Sequence, residues 1–284
     1  SYIKRSILDK ENKEVYYDIV TPYGFNGPII TEHNNKEKLL EEFEKDFKEY
    51  CSKNKIIAEY VRFSPWFKNY LDFENFYNLK LNKKTIAIDL TVNNILMDEI
   101  NSKRRNQIRS AIKKGVKIQF DFDGITIEDF YRLYQNTIKK NHIGEYYWLS
   151  KQFLKEHFEK LYENVFFINA IYENKIISSS MFIHCNKQMH YHFSANDYNY
   201  NSLNGNSLIL YEAAKWGKDN GKENLHLGGM ASEDSLIKFK LSFTKSDGLD
   251  YYVGMKIRNQ EIYDKMVKQY NGEKSNYFPK YRGD

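Results

Sequence analysis

The sequence predicts an α/β (α+β) protein of two similar halves, each a mostly antiparallel mixed sheet flanked by helices. Three observations carry this expectation. From residue 127 on, the hydrophobic pattern runs helix, helix, three-strand meander, helix, strand, helix, strand. Residues 14–120 hold a shorter run of similar elements. Of the 284 residues, 41% are hydrophobic and 16% aromatic, which supplies core for one large domain or two of ordinary size. The halves are expected at 1–122 and 123–258, with 259–284 a closing helix and tail that packs back on the first half.

Each element has a local cause. Residues 14–20 (EVYYDIV) are β-branched and aromatic, as a strand requires. They run into Thr21-Pro22-Tyr23-Gly24-Phe25-Asn26-Gly27-Pro28, where two prolines and two glycines demand a shaped loop. Leu39, Leu40, Phe43, Phe47 and Tyr50 recur at helical spacing over 36–53. Residues 56–63 and 85–90 read as strands, the first closed by Ser64-Pro65. One long helix is expected over 93–114, with Ile95, Leu96, Ile100, Ile108, Ala111 and Ile112 on its apolar side, then a strand at 116–120. Helices at 127–141 and 151–161 precede strands at 165–172, 176–184 and 188–195, whose short turns make an antiparallel meander. A helix over 203–220, a strand at 224–227, a helix at 235–243, a strand at 251–257 and a helix at 261–270 complete the pattern. The polar tail after Asn271 is expected to be loose.

The bulk numbers restrict the function classes. The formal charge, 43 − 38 = +5, fits an enzyme with anionic ligands and is too small to demand nucleic acid. Cys51 and Cys185 offer neither a metal-ligand spacing nor a disulfide framework; two buried thiols and no metal are expected. No stretch approaches the ~20 apolar residues of a membrane span. The N-terminal Ser-Tyr-Ile-Lys-Arg lacks a signal peptide's apolar run, so the expected location is the cytoplasm. A P-loop, a Rossmann glycine pattern and a Ser-His-Asp arrangement are all missing, and nothing points to a covalent enzyme intermediate.

The most informative stretch is His226-Leu227-Gly228-Gly229-Met230, followed by Phe239-Lys240-Leu241-Ser242-Phe243. Adjacent glycines at a strand end allow close approach of another group to the backbone. Lys240, between aromatics on the next helix, is a candidate for steadying a developing oxyanion, with Gly228, Gly229 and Phe239 beside the substrate. Strand alternation puts His190, His192 and Ser194 on one face, and His192 is the candidate base; a packed, hydrogen-bonded histidine is the alternative. Arg104, Arg105 and Arg109 lie within six residues, beside Lys103, Lys113 and Lys114. Arg105 and Arg109, four apart on a helix, could clamp a phosphate; a solvated basic face is the other reading. Asn204, Asn206 and Ser207, around Gly205, can cap a helix that receives an anion. Tyr23 and Arg62 would shape an acceptor pocket.

Residues 101–116 (NSKRRNQIRSAIKKGV), 188–197 (QMHYHFSAND), 205–221 with Trp216-Gly217, and 226–243 resemble the successive motifs of FemAB-type, GNAT-fold acyltransferases. Tyr17-Asp18 with 22–28, and Glu59-Tyr60-Val61-Arg62-Phe63-Ser64-Pro65, resemble the acetyltransferase-like branch of cell-surface polysaccharide pathways. The resemblance implies direct acyl transfer in a ternary complex; the two GNAT-like halves follow from element order alone. The donor it implies is acetyl-CoA, and the acceptor an amine or hydroxyl of a small or nucleotide-linked sugar. The chain departs from simple GNAT enzymes in lacking their Gln/Arg-x-x-Gly-x-Gly/Ala loop, whose place Gly205-Asn206 takes. A Fem-like transferase using aminoacyl-tRNA on a peptidoglycan precursor is the second expectation. A non-enzymic nucleic-acid-binding module using the Arg104–Lys114 helix is the third.

Overall fold

The computed structural model describes residues 1–141, 144, 148–229 and 234–283. The chain divides into two compact units, Ser1–Lys84 with Leu249–Asp284, and Thr85–Gly248. These bounds differ from the divisions after 122 and 258 that the element order predicts. The first unit is discontinuous because the last strand returns to it.

In the first unit, β1 (Ile3–Leu8) pairs antiparallel with β2 (Val15–Val20), β2 pairs parallel with β3 (Ile56–Arg62), and β3 pairs antiparallel with β10 (Leu249–Ile257). The parallel step needs a crossover, which α1 (Lys36–Lys53) supplies. Asn35 caps α1 by accepting from the Lys38 N–H, and Leu40 and Cys51 are its buried residues. Strand β1 was not expected from sequence; most of its residues are exposed, and it lacks the apolar alternation that marks a half-buried strand. The tail, expected to be loose, is tied down. Tyr281 packs with Ile7, Ile57 and the α8 (Gln260–Gln269) residues Tyr263 and Met266, while Arg282 Nε bonds Asp18 at 2.9 Å.

The second unit starts inside β4 (Asn78–Asp89), whose residues 85–89 pair antiparallel with β9 (Asn224–Gly229). Strand β9 pairs parallel with β8 (Gln188–Asn196). Strands β8, β7 (Lys175–Cys185), β6 (Val165–Tyr172) and β5 (Lys117–Asp121) follow in antiparallel order. The long helix expected at 93–114 is broken into α2 (Ile95–Asp98) and α3 (Ser102–Lys113), because the Asn101 carboxamide caps the Arg104 N–H and starts a new helix. Helices α3 and α6 (Gly205–Asp219) cover one sheet face around Ile86, Ile108, Phe166, Leu210 and Leu225. Helices α4 (Ile127–Asn141) and α5 (Lys151–Leu161) cover the other around Phe130, Leu154 and Phe167. Helix α7 (Asp234–Leu241) leads into buried Phe243. Cys51 is buried as expected, but Cys185 is exposed at the end of β7.

Candidate active site

The parallel ladder between β8 and β9 covers only Gln188–His190 against Asn224–His226. Both strands continue past it, to Asn196 and Gly229. The last rung is a histidine pair. Nδ1 of His190 lies 2.8 Å from Nδ1 of His226, with the rings stacked at 4.8 Å. One Nδ1 must donate and the other accept, so the two imidazoles hold opposite tautomers. Burial, with Lys240 nearby, pushes His190 down to about 4 and His226 well below its ordinary value.

Past this rung, β9 ends in the two glycines. Gly228 has φ +90°, and a Cβ there would come within 3.1 Å of Lys240 Nζ. Lys240, on α7, donates to the Gly229 carbonyl at 3.0 Å. The predicted approach of this lysine to the diglycine is therefore present. Desolvation alone pushes its ammonium down to about 8. Thr85 stands opposite Gly229 across the ladder, and its buried hydroxyl has no hydrogen-bond partner among the described residues. An isolated threonine on a strand carries no signal of its own in the sequence, and Thr85 is such a residue.

His192 lies where β8 departs from regular pairing. Phe182 faces Tyr191 and Met181 faces Phe193, so a bulge falls at His192. The bulge breaks the expected alternation, and Ser194 joins Tyr191 toward α6 rather than sharing a face with His190. The His192 ring sits 5.5 Å from His157 and 5.6 Å from His190. Burial, then its histidine neighbours, push it down to about 3, which leaves a neutral and weakly basic imidazole.

At the start of α6 the side chains face inward. Asn204 adopts the left-handed conformation (φ 56°) and makes no side-chain cap; its carboxamide donates to the Ser202 carbonyl instead. That corrects its expected capping role. Gly205 is packed so closely that a Cβ would sit 2.9 Å from Ser178 Oγ. The Asn206 Oδ1 accepts from Tyr191 at 3.1 Å and from Ser180 and Ser194 at 3.4 Å. Ser207 Oγ accepts from Arg104 Nη1 at 2.8 Å.

The arginines expected as a clamp do other things. Arg105 donates to the Ile100 carbonyl at 2.6 Å, and Arg109 is exposed. Arg104 turns inward. Its Nε donates to Ser242 Oγ at 2.8 Å, and its guanidinium lies over Phe239 at 4.4 Å and Phe243 at 5.0 Å. The Phe239 ring is thus spent on Arg104. On the helix, Arg105 lies about 100° and Arg109 about 140° round from Arg104. The break at Asn101 sets that rotation, so the sequence alone did not single out Arg104. In the first unit, Tyr23 is 72% exposed, and Arg62 Nη1 donates to the Thr21 carbonyl at 3.0 Å with its guanidinium over Tyr60. Among the described residues, no group of three or more His, Cys, Asp or Glu side chains is placed to hold a metal, and no helix is long and apolar enough to cross a membrane.

Residues 102–240 match a family model described as an acetyltransferase (GNAT) domain. No curated protein matches the sequence. Among solved structures, a FemX crystal structure matches with a TM-score of 0.67 at 13% identity, covering 93% of this chain and 90% of that one. The C-terminal domain of a putative lysylphosphatidylglycerol synthetase from Agrobacterium fabrum matches with a TM-score of 0.59 at 10% identity, covering 94% and 87%. L-PGS from Bacillus licheniformis matches with a TM-score of 0.57 at 11% identity, covering 93% and 88%. At such identities these neighbours speak to fold alone.

Proposed function

We propose that this chain, whose residues 102–240 match an acetyltransferase (GNAT) domain, acetylates an amine or hydroxyl of a sugar intermediate of cell-surface glycan assembly, with acetyl-CoA as donor. One observation supports this most directly. The Lys240 ammonium is half-buried and held on the Gly229 carbonyl, where β9 ends beyond its pairing with β8. A desolvated cation stabilises a developing oxyanion far better than one in water. The acceptor attacks the acyl carbonyl, the bond to the leaving group breaks, and the proton lost by the acceptor passes to the His190–His226 pair. That pair suits the task better than His192. With His226 Nδ1 accepting from His190 Nδ1, the Nε2 of the partly exposed His190 is the unprotonated nitrogen that takes the proton. The first amides of α6, at Gly205 and Asn206, have no intrahelical acceptor and would meet donor phosphate.

Lys240→Met tests this reading. Turnover with acetyl-CoA should fall on the order of a hundredfold with little change in melting temperature. In the wild type, turnover should decline as pH rises through about 8, since the ammonium is then lost. Near-normal turnover in the variant at saturating substrates would remove Lys240 from the mechanism.

A Fem-like transferase using aminoacyl-tRNA on a peptidoglycan precursor is the second reading. It is favoured by the run Lys103, Arg104, Arg105, Arg109, Lys113 and Lys114, which contains no acidic residue to neutralise it. A ligand that binds only the folded chain must raise its melting temperature. Stabilisation by aminoacyl-tRNA and none by acetyl-CoA would therefore select this reading.

A further inference from the structure

Arg104 is a cation with no counter-charge among the described residues. Its guanidinium is half-buried between α3, α6 and α7, and no carboxylate pairs with it among the described residues. Two of its five N–H groups are spent on the Ser242 and Ser207 hydroxyls. Its face is fixed against Phe239 and Phe243. Arg104 lines a groove of ≈ 670 Å³ together with Lys103, Lys238 and Ser235, and the hydrogen bonds found for it among the described residues use only Nε and Nη1. Among the described residues, none that lines the groove is acidic. Desolvation alone pushes the Arg104 guanidinium down to about 10. A neutral glutamine or methionine would fill the same place without the cost of stripping water from a charge.

We propose that the groove between α3 and α7 is a phosphate site, in which Arg104 grips a phosphate or diphosphate by its guanidinium edge while Lys103 and Lys238 neutralise the remaining charge. Three cations with no ion-pair partner among the described residues call for a ligand of at least two negative charges, and a planar guanidinium matches phosphate oxygens. A lone carboxylate would leave the groove strongly positive. Arg104, which lines the groove, also bonds Ser207 in the first turn of α6, and on that link we assign the phosphate portion of the acyl donor as its ligand. That last assignment rests on the acyltransferase reading; the anion site itself does not. Two donors share this chemistry, the diphosphate of an acyl-CoA and the backbone of an aminoacylated RNA.

The probe is inorganic pyrophosphate, titrated calorimetrically at low salt into the wild-type chain and into Arg104→Gln, Lys103→Gln/Lys238→Gln and Lys240→Met. The wild type should bind. Arg104→Gln and the double lysine variant should each weaken binding about tenfold or more, and Lys240→Met should stay within about twofold of wild type. Both lysines are exposed, so the double variant carries the test if Arg104→Gln does not fold. Absence of binding to the wild type, or equal affinity in the Arg104 and lysine variants, overturns the site. Competition then identifies the source. Displacement of pyrophosphate by desulfo-CoA assigns the groove to an acyl-CoA. Displacement by an uncharged RNA acceptor-stem minihelix, with steep salt dependence, assigns it to an RNA donor. Failure of both to compete overturns the donor role. Full turnover in Lys240→Met alongside lost pyrophosphate binding in Arg104→Gln would sink the proposed catalysis and keep the groove.

Discussion

At the scale of single residues, the diglycine at the end of β9 makes the sharpest distinction. Gly228 has φ +90° and faces Lys240 Nζ, whereas a Cβ on Gly229 would meet nothing within 4 Å and its φ is not in the left-handed region. Gly228→Ala must strain the backbone and press the ammonium off the Gly229 carbonyl. It should cost about 1 kcal/mol of stability and lower turnover by about tenfold or more. Gly229→Ala should be nearly silent in both. Equal activity in the two variants, measured side by side, would mean that the Lys240 contact does not matter. These glycines and Lys240 were legible in the sequence because strand, turn and helix lie within 20 residues of one another. Arg104 was not, since Ser207, Phe239 and Ser242, which hold it, lie more than 100 positions away along the chain.

At the scale of elements, the meander was legible and its irregularity was not. Strands β6, β7 and β8 fall within a residue of their expected limits, because short turns and β-branched runs bound them. The bulge at His192 comes from pairing with β7, which no local pattern records. Its consequence is that Tyr191 and Ser194 converge with Ser180 on one acceptor, Asn206 Oδ1. Asn206 thus ties the first turn of α6 to two strands. Asn206→Ala leaves three hydroxyls without that acceptor. Since a buried polar group left unsatisfied costs about 1–3 kcal/mol, urea unfolding should register a loss of that size. A loss under about 0.5 kcal/mol would mean that the hydroxyls find other partners and that Asn206 does not anchor the helix.

At the scale of the whole molecule, what the sequence could not disclose is long-range return of the chain. Lys265 bonds Asp9, Arg282 bonds Asp18, and Arg258 bonds Glu59, all across most of the sequence length. Such pairings leave no mark in the local pattern of the chain. The same folding buries histidines in number, and that sets how the molecule responds to acid. His190 is pushed down to about 4 and His192 to about 3, and His184 and His226 are also lowered, in every case chiefly by burial. The unfolded chain takes up protons at these side chains as pH falls through about 6.5, while the folded chain does not. The unfolded state therefore binds more protons, and stability falls with pH from about 6.5 down toward 4. Each histidine kept neutral contributes a slope of at most about 1.4 kcal/mol per pH unit. His190 and His226, joined by one hydrogen bond, titrate as a pair. Lys240 acts in a separate window with the same sign. The folded chain releases its proton near 8 and the unfolded chain near 10.5, so stability rises between those values. Carboxylates held low by ion pairs, such as Glu44 beside Arg258, enter only at lower pH, which leaves pH 6.5 to 5 to the histidines. Urea unfolding across that interval should show stability declining in the wild type and declining less steeply in His190→Gln/His192→Gln. A flat wild-type profile, or the same slope in both proteins, would mean that the histidines are solvated in the folded chain.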